Sequence, residues 1–223
     1  MTYLSRFEFH RGRREARRLL ASPRAMHGAV LAGFRDPPVR VPERRLLWRV
    51  DHDDHRSVLY LVSAEPPDLS HLVESAGWLT GPGWETADYS PVLSGLVAGQ
   101  QWRFRLTANP TRSIRCGDSD DARSRRVGHV SAEQQLSWLL GKGQSMGVTF
   151  GTECDNASIV ITGRRLVSFR HSGSAISLAI AQFDGSLTVD DPDKLRRTLV
   201  SGVGPGKAYG CGLLTLAPSR VAT

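Results

Sequence analysis

The alternation of apolar and polar residues at the start of the chain predicts a β-strand over residues 3–9. A strongly basic segment from about Arg13 follows, and it is expected to be helical. Ser22 and Pro23 suit the N-cap and the first position of a second helix, which is expected to continue to Phe34. The chain therefore opens with one strand and two helices.

A hairpin, a short helix and a further strand are predicted next. Residues 44–51 and 57–63 are the predicted hairpin strands, joined by the polar turn 52–56. A short helix is expected at 68–76, and a strand at 101–108, where apolar and basic residues alternate. When the two consecutive helices are counted as one helical region, the first half has the order strand, helix, strand, strand, helix, strand.

The second half predicts a similar order of elements. Ser131 with Gln134 forms a capping box, and Asp191 with Pro192 suits the start of the last helix, which Gly202 ends. Helices are expected at 131–141 and 193–201, and strands at 125–130, 147–153, 157–169, 174–183 and 213–217.

This element order predicts the α+β class, with two tandem ferredoxin-like (RRM-like) domains. The first is expected to span residues 1–109 and contains His27. The second is expected to span residues 110–223 and contains the glycine-rich segment 202–212. The joint is placed at Asn109-Pro110, because the residue before a proline is disfavoured in a helix.

Composition adds a nucleic-acid preference to this fold. The 29 Lys and Arg residues exceed the 22 Asp and Glu residues, which gives a net charge of +7. Such a charge favours polyanionic partners. No segment approaches the roughly 18 apolar residues of a membrane span, so a cytoplasmic protein without membrane contact is expected. Cys116, Cys154 and Cys211 lie far apart in sequence, which favours reduced thiols over a zinc site or disulfides.

The glycine-rich segment 202–212 is the strongest local signal for ligand contact. Glycines let backbone N–H groups approach a phosphate closely, and Lys207 would add a positive charge. A nucleotide P-loop does not fit, because Ala208 follows Lys207 and Ser201 stands where the first glycine is required. Phosphate contact is expected, and a purely structural connection between helix and strand is the alternative.

Several ordered motifs resemble the CasE family of CRISPR-associated endoribonucleases. The closing segment 202–218 resembles the closing signature of that family, and residues 104–110 (FRLTANP) resemble its central motif. The resemblance extends over nearly the whole chain. The other matching segments are Tyr3-Leu4-Ser5, Gln134-Gln135 with Trp138-Leu139, and residues 183–189.

The resemblance implies a fold, an activity and partners. The family folds as two ferredoxin-like domains and cleaves CRISPR transcripts without metal at the 3′ base of the repeat hairpin. The upstream 2′-hydroxyl attacks the phosphate and leaves a cyclic phosphate and a 5′-hydroxyl. The protein then keeps its product and becomes a subunit of the Cascade complex. No cofactor is expected, and a monomer is expected outside Cascade.

The resemblance also implies catalytic positions. His27 matches the family histidine of the first helical region, and histidine suits proton transfer because its ordinary pKa is near 6.5. Arg24 stands three residues earlier, where some family members have tyrosine. It is expected to stabilise phosphorane charge, as is Lys207.

RNA contacts are expected from backbone glycines and arginines, because hairpin RNA is recognised mainly through phosphates and shape. The predicted RNA-binding residues are Arg13, Arg17, Arg164, Arg165, Arg170, Gly202, Gly204, Gly206, Lys207, Gly210 and Gly212. His52 and His55 are predicted to be exposed turn residues, with no metal site, and the five tryptophans are predicted to be core residues.

Two alternative functions remain open at the level of sequence. One is a non-catalytic RNA-binding scaffold of the same fold, which the arginine at position 24 favours. The other is a nucleotide-using enzyme built on the glycine-rich segment, which would require magnesium and bind ATP or GTP. The broken P-loop pattern argues against this second alternative.

Overall fold

The computed structural model describes residues 1–35, 45–81, 83–115, 124–151, 159–171 and 174–219. The chain folds as two compact units, and each includes short segments from the C-terminal part of the chain. The first unit comprises Met1–Leu96, Arg196–Val203 and Lys207–Leu213. The second comprises Val97–Leu195, Gly204–Gly206 and Leu214–Thr223.

The first unit contains a four-stranded antiparallel sheet in the order β2-β3-β1-β4. Two helices connect β1 to β2, and one connects β3 to β4. The elements are β1 (Tyr3–Glu8), α1 (Arg14–Ala21), α2 (Pro23–Leu31), β2 (Leu47–His52), β3 (Ser57–Ser63), α3 (Ser70–Ala76), β4 (Trp84–Asp88) and α4 (Ser90–Ser94).

The core of the first unit lies between one face of this sheet and its helices. Phe7 and Phe9 point to the same face because side chains alternate along a strand, and both are buried. Their rings meet edge to face with centroids 4.9 Å apart. They pack in one cluster with Met26 and Val30 of α2, so the sheet supports the helix that carries His27.

The start of α2 follows the sequence prediction. Ser22 has an extended backbone, and its hydroxyl accepts a hydrogen bond from the Ala25 N–H at 3.2 Å. Pro23 occupies the first helical turn, where its missing N–H has no cost. The cap separates α1 from α2 and places His27 in the second turn of the helix.

The second unit contains a second antiparallel sheet, in the order β11-β5-β10-β8. Strand β9 forms a long hairpin with residues 174–185 of β10, whereas β8 pairs with residues 187–189 of the same strand. Strands β6 and β7 form a separate pair. The elements are β5 (Gln101–Ala108), β6 (Thr111–Arg115), β7 (Ser124–Gly128), α5 (Ala132–Leu140), α6 (Gly143–Met146), β8 (Val148–Phe150), β9 (Ile159–His171), β10 (Ser174–Val189) and β11 (Leu214–Pro218). Helix α7 (Pro192–Ser201) begins in the second unit, and its residues from Arg196 onward belong to the first.

Both units have the ferredoxin-like strand order that the sequence predicts. Counting β1 to β4 in the first sheet, and only β5, β8, β10 and β11 in the second, each sheet places these four strands in the order 2-3-1-4. Helices follow the first and third strands in each case, as the ferredoxin-like topology requires. Within the described ranges, no helix has the length and apolar character needed to cross a membrane.

The unit boundary differs from the predicted halves 1–109 and 110–223. Strand β5 pairs with β10 and β11, so it is the first strand of the second sheet and not the last strand of the first. The fourth strand of the first sheet is instead β4, which pairs with β1. Four of the five residues of β4 are exposed, so this edge strand carries no alternating hydrophobic pattern.

Two residues of the motifs that resemble the family stabilise the second sheet. The Asn109 side-chain oxygen accepts a hydrogen bond from the buried Ala179 N–H at 2.9 Å. Arg105 donates to both carboxylate oxygens of Asp184, the residue directly opposite on β10. These contacts hold β5 and the segment after it against β10.

The tryptophans are only partly a core set. Trp48 is 4% exposed and belongs to the first core, as predicted. Trp78 is 47% exposed, so its prediction as a core residue was wrong. It follows the end of α3, and its ring packs on His10 with centroids 4.2 Å apart.

Candidate active site

His27 lies on α2 where that helix packs against a 3₁₀ turn at Lys207–Tyr209. All these residues belong to the first unit. The imidazole and the Tyr209 ring meet edge to face, with centroids 6.3 Å apart and an interplanar angle of 63°. His27 is half-buried and its Nδ1 atom is inaccessible to solvent. The structure therefore brings the predicted histidine to the predicted glycine-rich segment.

Arg24 lies one turn before His27 and on the same side of α2, since residues three apart share a helix face. The residue is exposed. The Ala25 N–H is already bound to Ser22, so it does not point into the site. Arg24 can therefore place a guanidinium beside an RNA that reaches His27.

The glycine-rich segment is closed by its own backbone. The Val203 N–H donates to the Gly212 carbonyl at 2.9 Å, and the Gly202 N–H donates to the Thr198 carbonyl at the end of α7. Two N–H groups are thus used internally. Positive φ angles, which favour glycine, occur at Gly202, Gly204, Gly206, Gly210 and Gly212.

Strand β2 supports this segment at three successive residues. A Cβ added to Gly202 would lie 2.7 Å from Leu47 Cδ2, and one added to Gly210 would lie 2.7 Å from Trp48 Cζ3. The next residue, Arg49, donates to the Leu213 carbonyl at 3.0 Å. These contacts explain Gly202 and Gly210 by close packing, independently of any phosphate.

Lys207 extends along the segment from the 3₁₀ turn. A Cβ on Gly202 would lie 2.9 Å from Lys207 Cε, and one on Gly212 would lie 3.2 Å from Lys207 Cγ. Its alkyl chain is therefore packed on these two glycines, and the residue is half-buried. The end of the side chain therefore lies beside Gly202.

Arg49 is the most buried charge near the site, with 2% of its side chain exposed. Its guanidinium donates to both carboxylate oxygens of Asp51, at 2.5 and 2.9 Å, and lies 5.6 Å from the centroid of the Tyr60 ring. Burial raises the pKa of Tyr89 to about 12, although the charge of Arg49 acts in the opposite direction. Tyr89 is thus neutral at working pH. Sequence patterns did not single out Arg49, because the Leu213 carbonyl that it binds lies 164 positions away in the sequence.

The arginines predicted on the first helix have different environments. Arg13 donates to the carbonyls of Val73 at 3.1 Å and Gly77 at 3.0 Å, and also to that of Glu74. It thereby caps the C-terminal end of α3. Arg17 is exposed on α1. A contact with RNA is therefore compatible with the position of Arg17, whereas Arg13 has a structural role.

The three arginines predicted on the long hairpin lie on β9 but not on one face. Arg164 and Arg170 are six residues apart and share a face, whereas Arg165 lies on the other, because side chains alternate along a strand. Arg164 donates to the Gln135 side chain at 3.0 Å and to the Val130 carbonyl, which links β9 to the start of α5. Arg165 and Arg170 are exposed.

The remaining candidate groups do not join the site. His52 and His55 lie in or beside the β2–β3 turn and are exposed, as predicted. Among the described residues, no group of three His, Cys, Asp or Glu side chains is arranged to hold a metal. Cys211 is a buried cysteine, and Cys116 and Cys154 lie outside the described residues.

Comparison with known proteins places the chain in a family. A family model described as CRISPR-associated protein matches residues 2–218. The CRISPR-associated endoribonuclease Cse3 of Thermus thermophilus is 30% identical to this chain over an alignment of 230 residues. The alignment covers 97% of this chain and 100% of Cse3. The chain belongs to the CasE-type CRISPR-associated proteins. This membership confirms the family resemblance that the sequence motifs indicate.

Further members of the CasE-type family share the fold. Cascade subunit CasE of Escherichia coli is 30% identical over 128 residues, which cover 55% of this chain and 61% of that protein. A structure of Thermus thermophilus Cse3 bound to an RNA that represents a pre-cleavage complex superimposes with a TM-score of 0.76. The Cse3 chain in that structure is 28% identical to this chain, and the match covers 97% of this chain and 99% of the Cse3 chain.

Proposed function

We propose that this protein is a metal-independent endoribonuclease that cleaves precursor CRISPR RNA at the 3′ base of the repeat hairpin. The position of His27 against the Lys207–Tyr209 turn carries the proposal. The near-complete match to a relative named as an endoribonuclease supports the same reaction class.

The proposed reaction is attack of the upstream 2′-hydroxyl on the adjacent phosphorus. The 2′-oxygen loses its proton and bonds to phosphorus, the bond to the 5′-oxygen breaks, and that oxygen gains a proton. His27 performs one of these proton transfers, which typically contribute about 10²–10⁴-fold to the rate. Arg24 and Lys207 stabilise the negative charge of the phosphorane, since both lie on elements that meet at His27.

The proposed RNA contacts use the exposed cations. Arg17 on α1 and Arg165 and Arg170 on β9 are accessible for phosphate contacts. Arg13 and Arg164 act indirectly, because their guanidiniums hold carbonyl groups of the fold. The cleaved repeat stays bound, and the protein serves as a Cascade subunit, as the name of its Escherichia coli relative indicates for that protein.

The test is cleavage of an end-labelled CRISPR repeat RNA from the source genome in excess EDTA. A matched RNA carries a deoxy substitution at the scissile 2′-position. We expect one cut at the hairpin base that is insensitive to EDTA and absent with the deoxy RNA. A cut that requires magnesium, or that persists in the deoxy RNA, would contradict the proposed chemistry.

The same assay separates cleavage from binding alone. RNA that remains intact but shifts on a native gel would identify a non-catalytic RNA-binding subunit, the alternative that Arg24 favours. RNA that is neither cut nor shifted would exclude the repeat hairpin as substrate.

Replacing Lys207 with alanine is expected to weaken RNA binding and to reduce the salt dependence of the affinity. Loss of one phosphate contact lowers the slope of log K against log salt by about one. The measurement is the dissociation constant of uncleavable deoxy RNA across a range of salt concentrations. Lys142→Ala removes the same charge at the end of α5 and serves as the control. An unchanged slope for Lys207→Ala would remove Lys207 from the phosphate contacts.

A further inference from the structure

Cleavage by the proposed route needs a group that protonates the leaving 5′-oxygen in addition to the group that deprotonates the 2′-hydroxyl. We propose that Tyr209 is this general acid and that His27 is the general base. The inference rests on the proposed function, and it assigns a chemical role to a residue that lies in the glycine-rich segment but received no role from the sequence.

The position of Tyr209 is the first argument. Its ring is the aromatic neighbour of the His27 imidazole, at a centroid separation of 6.3 Å. In an in-line displacement the attacking and leaving oxygens lie on opposite sides of phosphorus, so base and acid must be different groups a few ångströms apart. Two rings that border each other in this way can flank one phosphodiester. Tyr209 is half-buried, which leaves part of the residue accessible.

The backbone around Tyr209 holds this position in place. The residue ends a 3₁₀ turn, and Gly210 follows it with a φ of 79°. Gly210 is so close to the Trp48 ring that an added Cβ would lie 2.7 Å from it. The backbone that follows Tyr209 therefore packs directly on β2, which fixes where the turn lies. A catalytic group that is already in place before the reaction needs little reorganisation.

The chemistry of the other cations near His27 is the second argument. Arg24 can stabilise negative charge through the N–H donors of its guanidinium. The alkyl chain of Lys207 runs along Gly202 and Gly212, whereas the Tyr209 ring meets His27. A phenol is protonated at neutral pH and can donate. Of these three side chains, Tyr209 combines a transferable proton with a ring that borders the histidine.

The step balances without any further reactant. The proton of the 2′-hydroxyl passes to His27 as the 2′-oxygen bonds to phosphorus. The phenolic proton of Tyr209 passes to the 5′-oxygen as its bond to phosphorus breaks. The imidazolium and phenolate that result return to their starting states by exchanging one proton, directly or through water. The products are the cyclic phosphate and the 5′-hydroxyl.

The test compares two repeat RNAs in single-turnover cleavage. One is the natural RNA, and the other has sulfur in place of the bridging 5′-oxygen at the scissile phosphate. A thiolate leaves without protonation. We expect Tyr209→Phe, which removes only the hydroxyl, to slow cleavage of the natural RNA by about 10²–10⁴-fold. The same variant is expected to cleave the sulfur RNA at close to the wild-type rate.

Two variants serve as controls. His27→Ala removes the base, which both RNAs require, so we expect slow cleavage of both. Tyr3→Phe removes a hydroxyl from the same unit, on β1, and should leave both rates unchanged. The dissociation constant of each variant for deoxy RNA shows whether binding is preserved.

The outcomes separate this inference from the proposed function. Wild-type protein that leaves the natural RNA intact would overturn both. A wild-type protein that cleaves, with Tyr209→Phe equally fast, would overturn the role of Tyr209 alone. Slow cleavage of both RNAs by Tyr209→Phe would also overturn it, because the hydroxyl would then act at another point than the leaving group.

Discussion

Replacement of His27 by alanine is expected to lower the single-turnover cleavage rate by about 10²-fold or more while RNA affinity stays nearly unchanged. The imidazole is placed for proton transfer by its position on α2, against the Lys207–Tyr209 turn. Phosphate contacts from Lys207 and the arginines are not altered by its removal. The measurements are the cleavage rate at saturating protein and the dissociation constant for deoxy RNA.

His55→Ala is the matched control for this experiment. That histidine lies in the exposed turn between β2 and β3, and its loss should change neither quantity. A collapse of RNA affinity in His27→Ala would show that His27 supports the fold or binds RNA. Cleavage at the wild-type rate would remove the histidine from the reaction.

Replacement of Arg49 by methionine is expected to lower the free energy of unfolding by about 3–5 kcal/mol. The substitution keeps much of the volume but leaves the Asp51 carboxylate, which is 14% exposed, without its ion-pair partner. It also removes the donor to the Leu213 carbonyl at the end of the glycine-rich segment. The measurement is urea denaturation of the purified protein, followed by circular dichroism.

The chain offers a neighbouring ion pair as the control. Arg56 pairs with Asp53 at 3.2 Å in the β2–β3 turn, where the two side chains are 58% and 51% exposed. Arg56→Met is expected to lose far less stability, because exposed pairs contribute little. The double variant Arg49→Met with Asp51→Leu should recover much of the loss, since no buried charge then lacks its partner. Equal losses for Arg49→Met and Arg56→Met would contradict the proposed importance of burial.

Local signals in the sequence were sufficient for most elements of the fold. Ser22 and Ser131 accept hydrogen bonds from the backbone N–H groups three residues later, so both predicted N-caps are confirmed. The Asp191 carboxylate accepts a hydrogen bond from the Lys194 N–H at the predicted start of α7. Such caps depend on atoms within one turn of the chain, which is why sequence spacing alone reveals them.

The pairing between strands was harder to predict from the sequence. Sequence order suggested that 101–108 closes the first sheet, but this strand opens the second sheet, and the exposed strand β4 takes its place. A strand pattern reports which face is buried and not which partner lies beside it. An edge strand with both faces open to solvent does not produce even that pattern.

The candidate site shows the same division. His27 and the glycine-rich segment were recognised because their residue types and order resemble a family. Tyr209, although part of that segment, received no role, and Arg49 was not recognised, because their significance depends on neighbours 182 and 164 positions away, at His27 and Leu213. The glycines also had two possible explanations in sequence, and packing on Leu47 and Trp48 now accounts for two of them.

The sequence by itself determined the ferredoxin-like element order, the start of α2, the positive charge and the family. These properties depend on composition, on periodicity and on contacts within a few residues. Only the tertiary structure decided which strands share a sheet, that β2 supports the glycine-rich segment, and that Tyr209 borders His27. Those contacts join residues that are far apart in the sequence. Periodicity and local hydrogen bonding report only on residues that are close in the sequence, so they do not predict such contacts.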